Sequence, residues 1–526
     1  MIRVFVMATV ALTFLLSLGS MLRPIQEYGV GPSQAVHLLG YTIPIILTVV
    51  LPMSALFATA LTYGRFASDN ELDACRASGV SLLTLIYPAM CLAVAVAIAN
   101  LVLSFYVVPA FVKRAEKSVQ GNAKQIVFRN IQRQGFYEMP GERFRIYADE
   151  AIPETDTLLG VVALESKGND ITKMIFADTA RVIIETDDDY TQVTVIAENA
   201  RHIDKNENPD YFKSFSSTHR LPPMLSDNIK FQKIDRLKQI RADMFNFEPT
   251  RKYILDATSQ LAAELLEKDI SENLHSKDDN YYQLVTSDSI IRFTASDCQI
   301  KDDKEIELQP PISLTEYDPV SRRPKNQWSS DDTATLSFEN EQLDSKLGLE
   351  LLNASWQNER LKSFTPLQQK IFSGITMPRH LAAELNSYPP VQVVDMIGSE
   401  ETQKFLKNPS NKLIQLKKQA EYRMWRTSKR IIAEIHTRLV FGIGSITLVL
   451  FATALGIIFK GGHTLSAFGA SAIPAGILVV FMMSGRELTK TVNTSLPESA
   501  GVMVMWSGLA LLTIIAFIFY RRLMRT

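Results

Sequence analysis

The sequence predicts an α-helical membrane protein. Six transmembrane helices are split three and three around a large polar, β-rich domain that carries a helical insertion. Three observations predict it. Runs free of Asp, Glu, Lys and Arg recur at Leu82–Val112, Leu439–Phe459, Thr464–Gly485 and Ser499–Tyr520, each long enough to cross hydrocarbon as a helix. The polar middle alternates with a period of two over several stretches, as half-buried strands do. Within it, Ile234, Leu237, Ile240, Ile254, Leu261 and Leu265 fall at helical spacing. With 526 residues the chain exceeds one ordinary core. Its net charge of −1 gives no global attraction to nucleic acid.

Taken in order, Val4–Leu22 is span one. Arg3 before it invites a signal-peptide reading. The run is longer than a signal core, and Met21-Leu22-Arg23-Pro24 offers no small-residue cleavage site, so a retained span is expected. Leu38–Thr62 is span two and Leu82–Val112 span three. Pro44, Pro52, Pro88, Pro109 and Pro474 fall within or near the ends of spans. Each removes a backbone donor, which hydrocarbon tolerates only where a neighbour or water satisfies the freed carbonyl. They read either as ordinary irregularity or as hinges.

Between spans two and three lies Tyr63–Ser81. Ser68-Asp69-Asn70-Glu71 fits a capping box, with Ser68 at N-cap and Glu71 at N3. Acids sit early and Arg76 late, which suits the helix dipole. Gly79 stands where a left-handed cap ends a helix. The pattern predicts a helix over Asp69–Ser78, either a solvated loop helix or a handle for a soluble partner.

The polar middle opens with strands around Arg143–Tyr147, Leu158–Glu165, Met174–Glu185 and Thr191–Ile203, with turns at Lys167–Asp170 and Asp187–Asp189. Short turns between successive strands predict an antiparallel sandwich or roll. The insertion begins near Lys205 and runs to about 360; a solvated surface module is its expected role. Strands return at Tyr282–Lys301 and Thr333–Phe338, and Pro-rich Gln309–Trp328 reads as loop. Pro378–Leu385 is a short helix. Asn411–Arg438 is a long basic amphipathic helix, read equally as a headgroup-surface helix or as a connector. It ends in Glu434-x-His436-x-Arg438 before span four. Lys460–His463 makes a tight turn, and span five is rich in small residues, with Gly469 and Gly476 on one face.

Basic residues of the short loops orient the chain: Arg3, Arg65, Arg76, Lys460, Arg521, Arg522 and Arg525 on one side against Arg23, Arg486 and Lys490 on the other. Both termini and Tyr63–Ser81 are then cytoplasmic, and the polar middle is periplasmic. The domains read as 1–112 with the short helix at 68–79, 113–433 with the insertion at about 205–360, and 434–526. No Gly-Lys dipeptide occurs, so the chain has no nucleotide-binding phosphate loop. No hydrolase or zinc-protease signature occurs, and no Cys/His cluster has metal spacing, so no catalytic or metal residue is assigned. Cys298 is the only cysteine of the polar middle, which excludes a disulfide within it.

Pro52, Gly64-Arg65, Ser68-Asp69-Asn70-Glu71, Arg76-Ala77-Ser78-Gly79 and Ser81 together resemble the signature of the LptF/LptG (YjgP/YjgQ) permeases. RFRIYADEA, LLGVVALES and MIFADTARVII resemble that family's periplasmic β-jellyroll, and Glu434-x-His436-x-Arg438 is also similar. The resemblance covers about 1–205 and 430–526. It implies the permease subunit of an ABC transporter that extracts lipopolysaccharide from the inner membrane, an inner-membrane protein that is not itself an enzyme. It implies no cofactor on this chain and ATP consumed by a cytoplasmic ABC ATPase dimer. It implies a second LptF/LptG-type permease, a bitopic periplasmic LptC-like subunit and surrounding membrane lipids as partners. Ser68, Asp69, Glu71, Arg76 and Gly79 are then the ATPase-coupling residues. Arg23, Gly469, Gly476 and Arg486 are lipid-binding candidates; Arg23 reads equally as an interface anchor, and for Arg486 the anchor reading is favoured. Two other classes stay open: a permease for another lipid or lipoprotein, and a membrane-anchored periplasmic scaffold without transport.

Overall fold

The structure is a computed structural model. It describes residues 1–27, 32–120, 123–138, 144–167, 170–186, 191–204, 210–221, 228–275, 281–286, 288–301, 304–338, 346–358, 364–399, 406, 408–459, 464–491, 497 and 499–525. Gly168, Asn169, Asp187–Asp189 and Lys460–His463, all predicted as turn residues, lie outside them. The chain divides into two compact units, Met1–Lys238 with Lys429–Thr526, and Gln239–Ser428.

The first unit holds the long apolar helices. They are α1 (Ile2–Glu27), α2 (Pro32–Ser68), the short α3 (Glu71–Ala77), α4 (Leu82–Val102), a π turn at Leu103–Val107 and α5 (Val108–Gln120). Among the described residues, six segments have the length and composition to cross a membrane: Ile2–Gly19, Leu39–Ser68, Leu82–Lys117, and one in each of three helices near the C-terminal end. Proline does not end these helices. Pro52 deprives the Thr48 carbonyl of its donor, and buried Asn100 of α4 supplies one from its side-chain amide at 2.5 Å.

After α6 (Ala123–Gln134) come β1 (Phe136–Glu138), β2 (Phe144–Ile152), β3 (Thr157–Lys167), β4 (Asp170–Thr186), β5 (Thr191–Asp204) and β6 (Asp210–Leu221). They pair antiparallel in chain order as one six-stranded sheet. One face is lined by small residues, among them Ala148, Ala151, Ala177, Ala180, Ala197 and Ala200. Val127, Phe128 and Ile131 of α6 pack into that face. The antiparallel β-rich domain expected from alternation is therefore present.

The second unit contains the end of α7 (Ile234–Ala242), then α8 (Glu248–Leu274), β7 (Tyr282–Val285), β8 (Ile290–Thr294), β9 (Cys298–Ile300), β10 (Ile306–Leu308), β11 (Ile312–Tyr317), β12 (Pro324–Ser330), β13 (Ala334–Phe338), β14 (Leu347–Asn358), β15 (Phe364–Ile375), α9 (Arg379–Asn386) and α10 (Pro390–Met396). The pairing runs β7-β8-β11-β12-β14-β15, and Thr376 just past β15 bridges back to Val285 of β7. That single bridge brings the ends of this path together, while β13, β10 and β9 branch from β14 and leave β9 as an edge. Gln309–Trp328, expected as loop, instead supplies β11 and most of β12. Pro310, Pro311 and Pro324 sit before or at the start of these strands, where a missing N–H is harmless, so they punctuate the strands and do not break them.

α8 is buried on every side from Ala257 to Leu266, including Thr258, Gln260 and Glu264. A helix surrounded all round is a core element, so this unit is a folded body and not only a solvated surface module. Glu264 accepts hydrogen bonds from Gln260 Nε2 at 3.2 Å and from the backbone N–H of Ser410 at 3.1 Å, and from the Ser410 hydroxyl. Ser410 Oγ in turn accepts the Leu413 N–H at 3.0 Å, capping the next helix. Cys298 is 2 % exposed and donates to the Glu267 carbonyl at 3.4 Å. Burial, with Glu267 and Asp297 beside it, pushes its thiol up to about 12. Cys75 of α3 is only half-buried. In single-cysteine variants at neutral pH, a polar maleimide is expected to label Cys75 and to spare Cys298 until denaturant is added. Equal labelling of both in folded protein would contradict this burial.

The chain returns to the first unit along α11 (Asn411–Ile458), one continuous helix through the basic stretch and span four. It is followed by α12 (Thr464–Lys490) and α13 (Ala500–Arg525). The remaining membrane-crossing segments are Asn411–Ile458, Ala472–Lys490 and Ala500–Met524 of these helices. Leu56 and Ala60 of α2, Leu448 and Phe451 of α11, Leu478 of α12 and Met505 and Leu509 of α13 share one core.

Candidate functional site

Two places in the first unit concentrate polar groups against apolar helices. The first is the turn between α2 and α4. Ser68 does not cap α3, because α2 continues through it: its hydroxyl donates back to the Arg65 carbonyl at 3.0 Å. The chain reverses at Asp69-Asn70, with Asn70 left-handed at φ 59° and offering no side-chain cap. The helix is therefore shorter than predicted and starts at Glu71, because an uninterrupted α2 uses up the residues that the capping box needed.

The C-terminal end forms as the sequence predicts. Gly79 has φ 86°, its N–H bonds the Arg76 carbonyl at 3.0 Å, and the Val80 N–H bonds Cys75 at 3.1 Å. That pair of bonds satisfies two orphan carbonyls at once. Ser81 then caps α4 through the Thr84 N–H at 3.2 Å. One buried side chain, Leu72, pins α3 onto Tyr63, Leu82 and Ile86. Glu71, Asp73, Ser78 and Gly79 are exposed, as are Ser68 and Asp69, while Arg76 is half-buried. Arg65 and Asp69 lie 3.6 Å apart, both well exposed, and so contribute little stability. Beneath the turn, α11 presses on the end of α2. A Cβ on Gly456 would stand 3.0 Å from the Ala60 carbonyl and the Gly64 nitrogen.

The second place is the Glu434-x-His436-x-Arg438 segment of α11. Arg438 is 5 % exposed. Its Nε meets Glu434 Oε1 at 3.1 Å, and its two terminal nitrogens donate to the carbonyls of Ser104, Gln232 and Lys230 at 3.1, 3.0 and 2.8 Å. Arg486 of α12 lies 3.0 Å from the other Glu434 oxygen. One buried carboxylate thus joins two guanidinium groups, a geometry suited to arginine and not to lysine. His436 Nδ1 accepts the Trp506 indole N–H at 3.2 Å, which leaves any proton of the neutral ring on Nε2.

The sequence-predicted residues divide as follows. Ser68, Asp69, Glu71, Arg76 and Gly79 share the α2–α4 turn. Arg486 joins the Glu434 network and is not a free headgroup anchor. At Gly469 and Gly476 a Cβ would meet no other described residue within 4 Å. Arg23 lies on α1, with its side chain outside the described residues. The tightest helix contact at a glycine, among the described residues, was not foreseen. It lies between Gly485 of α12 and Gly501 of α13, where a Cβ on either would stand within 2.5 Å of the other's carbonyl. The signal that could have found it is the spacing of four from Phe481 to Gly485 to Thr489, one face of one helix.

A model of the family described as lipopolysaccharide export system permease LptF/LptG matches residues 1–522. No curated protein matches the chain.

Proposed function

The chain belongs to the lipopolysaccharide export system permease LptF/LptG family, and from that premise we propose that it is the membrane subunit of an ATP-driven exporter of lipopolysaccharide. A lipid-export permease moves its cargo without chemistry on it, so the energy enters through a partner. The observation that carries the reading is the α2–α4 turn: a short helix with both ends fixed, held by Leu72 and presenting Glu71 and Asp73 outward. Such a rigid, exposed acidic helix between two spans suits docking by a soluble ATPase dimer, which consumes ATP on the cytoplasmic side. Both termini are then cytoplasmic and the sheet periplasmic, in the inner membrane.

The remaining assignments belong to the same proposal. A second LptF/LptG-type permease completes the cavity, and an LptC-like bitopic subunit takes the lipid onward. The apolar faces that α1 and α12 leave open, with Phe14, Ile473 and Val480 more than half exposed, support lipid or a second permease there. Arg23, Gly469 and Gly476 are proposed to line that path. A permease for another lipid or lipoprotein is the second reading, favoured by the separate folded unit Gln239–Ser428.

Glu71→Arg reverses the charge at an exposed position, so the fold should survive. The expected result is a normal size-exclusion profile with the co-purifying ATPase reduced tenfold or more. Unchanged ATPase recovery would overturn the docking assignment. Mass spectrometry of the lipids retained in mild detergent separates the two cargo readings. Lipid A-type species support the first, and a different enriched lipid supports the second.

A further inference from the structure

The π turn at Leu103–Val107 has a local cause and a distant partner. Pro109 has no N–H, so in a regular α-helix the Phe105 carbonyl would lack its donor. The helix instead widens. The Val108 N–H bonds the Leu103 carbonyl, five residues back. That leaves Ser104 without either donor: Val108 is committed to Leu103, and Pro109 has nothing to give. The Ser104 carbonyl is taken by Arg438 at 3.1 Å, with the guanidinium 5.4 Å over the Phe105 ring. Both helix registers therefore leave a carbonyl to be satisfied from outside. The register in this structure is the one that Arg438 satisfies.

We propose that span three carries a register switch, in which Arg438 is the positioning residue that holds the Leu103–Val107 turn in its wide form. When Arg438 withdraws from Ser104, that carbonyl can regain the Val108 N–H as the turn closes to α, and the Phe105 carbonyl, which Pro109 cannot serve, becomes the one to be satisfied from outside. Losing one residue of bulge turns everything beyond it by about 100° and advances it by about 1.5 Å. What lies beyond is α5, which leads through α6 into the six-stranded sheet. Arg438 has the contacts needed to couple this to neighbouring segments. It also holds Lys230 and Gln232, just after the sheet, and through Glu434 it is tied to Arg486 of α12. A shift of α11 or α12 would thus be felt by span three as loss or gain of one carbonyl partner. π turns in α-helices often mark such functional sites. The role in a transport cycle rests on the function proposed above; the switch itself does not.

The test is a spin-label distance measurement across the turn in the full chain, in lipid nanodiscs. Labels go on Val94→Cys of α4 and Lys113→Cys of α5, both exposed, with Cys75, Cys91 and Cys298 replaced by Ala. Pro109→Ala supplies the missing N–H, so the turn can close without losing a bond. Arg438→Lys keeps the charge beside Glu434 but cannot hold three carbonyls in a fork. The expected result is a distance peak displaced by several ångström from that of the parent in either variant. Parent-like distributions in both would overturn the switch. In the complex co-purified with its ATPase, ATP and vanadate are expected to populate the displaced peak in the parent chain. An unchanged peak there would overturn its use in transport. ATPase recovery with Glu71→Arg tests the proposed function separately.

Discussion

Gly501→Val is expected to leave almost no folded protein. A Cβ at Gly501 would fall 2.2 Å from Thr489 Oγ1, 2.4 Å from the Gly485 carbonyl and 2.5 Å from the Thr489 nitrogen. Two of these atoms are backbone of an intact helix, so no rotamer change relieves the overlap. α12 and α13 would have to separate along the contact. In lipid the association of helices depends on close packing, since hydrocarbon competes equally well for apolar side chains. Overpacking in a well-packed core costs about 1–3 kcal/mol where side chains can adjust. Here backbone would have to move, so the upper end or more applies. Fluorescence-detected size exclusion should show loss of the monodisperse peak. Gly476→Val, on a face where no other described residue lies within 4 Å, should leave that peak intact in the isolated chain. The opposite pattern would place the helix contact elsewhere.

Arg438→Ala is expected to be nearly as damaging for an electrostatic reason. Glu434 and Arg438 have side chains only 7 % and 5 % exposed. Removing one partner of a buried pair costs about 3–5 kcal/mol, because the other charge remains buried. Arg486 still lies 3.0 Å from Glu434 and offsets part of that. Against this, the Ser104, Lys230 and Gln232 carbonyls lose their donors, at about 1–3 kcal/mol each if no water replaces them. These contributions share one side chain and do not add simply. The net should appear as a fall in thermal midpoint of many degrees in detergent. Glu434→Gln, which keeps the shape and an acceptor, should cost less. A midpoint unchanged by Arg438→Ala would mean that the network is solvated, contrary to its burial.

The sequence alone determined what depends on local chemistry. Hydrocarbon accepts only long uncharged runs, so the six spans could be read from composition. The alternation of strands β2 to β5 follows from a two-residue period, and Gly79 ends α3 because glycine tolerates the left-handed backbone there. The proposed coupling residues were legible for the same reason: they lie within a few positions of each other. The tertiary structure alone decided what depends on partners far along the chain. Ser104 and Arg438 are 334 residues apart, and nothing local in either says that one satisfies the other. Gln260 and Glu264, one turn apart, look like the wet side of an amphipathic helix until surrounding elements bury them. Ser68 looks like a cap until α2 runs through it. Small residues were most conspicuous at Gly469 and Gly476, yet the close approach lies at Gly485 and Gly501. A glycine's role is set by which backbone arrives opposite it, and that is fixed only when the helices pack.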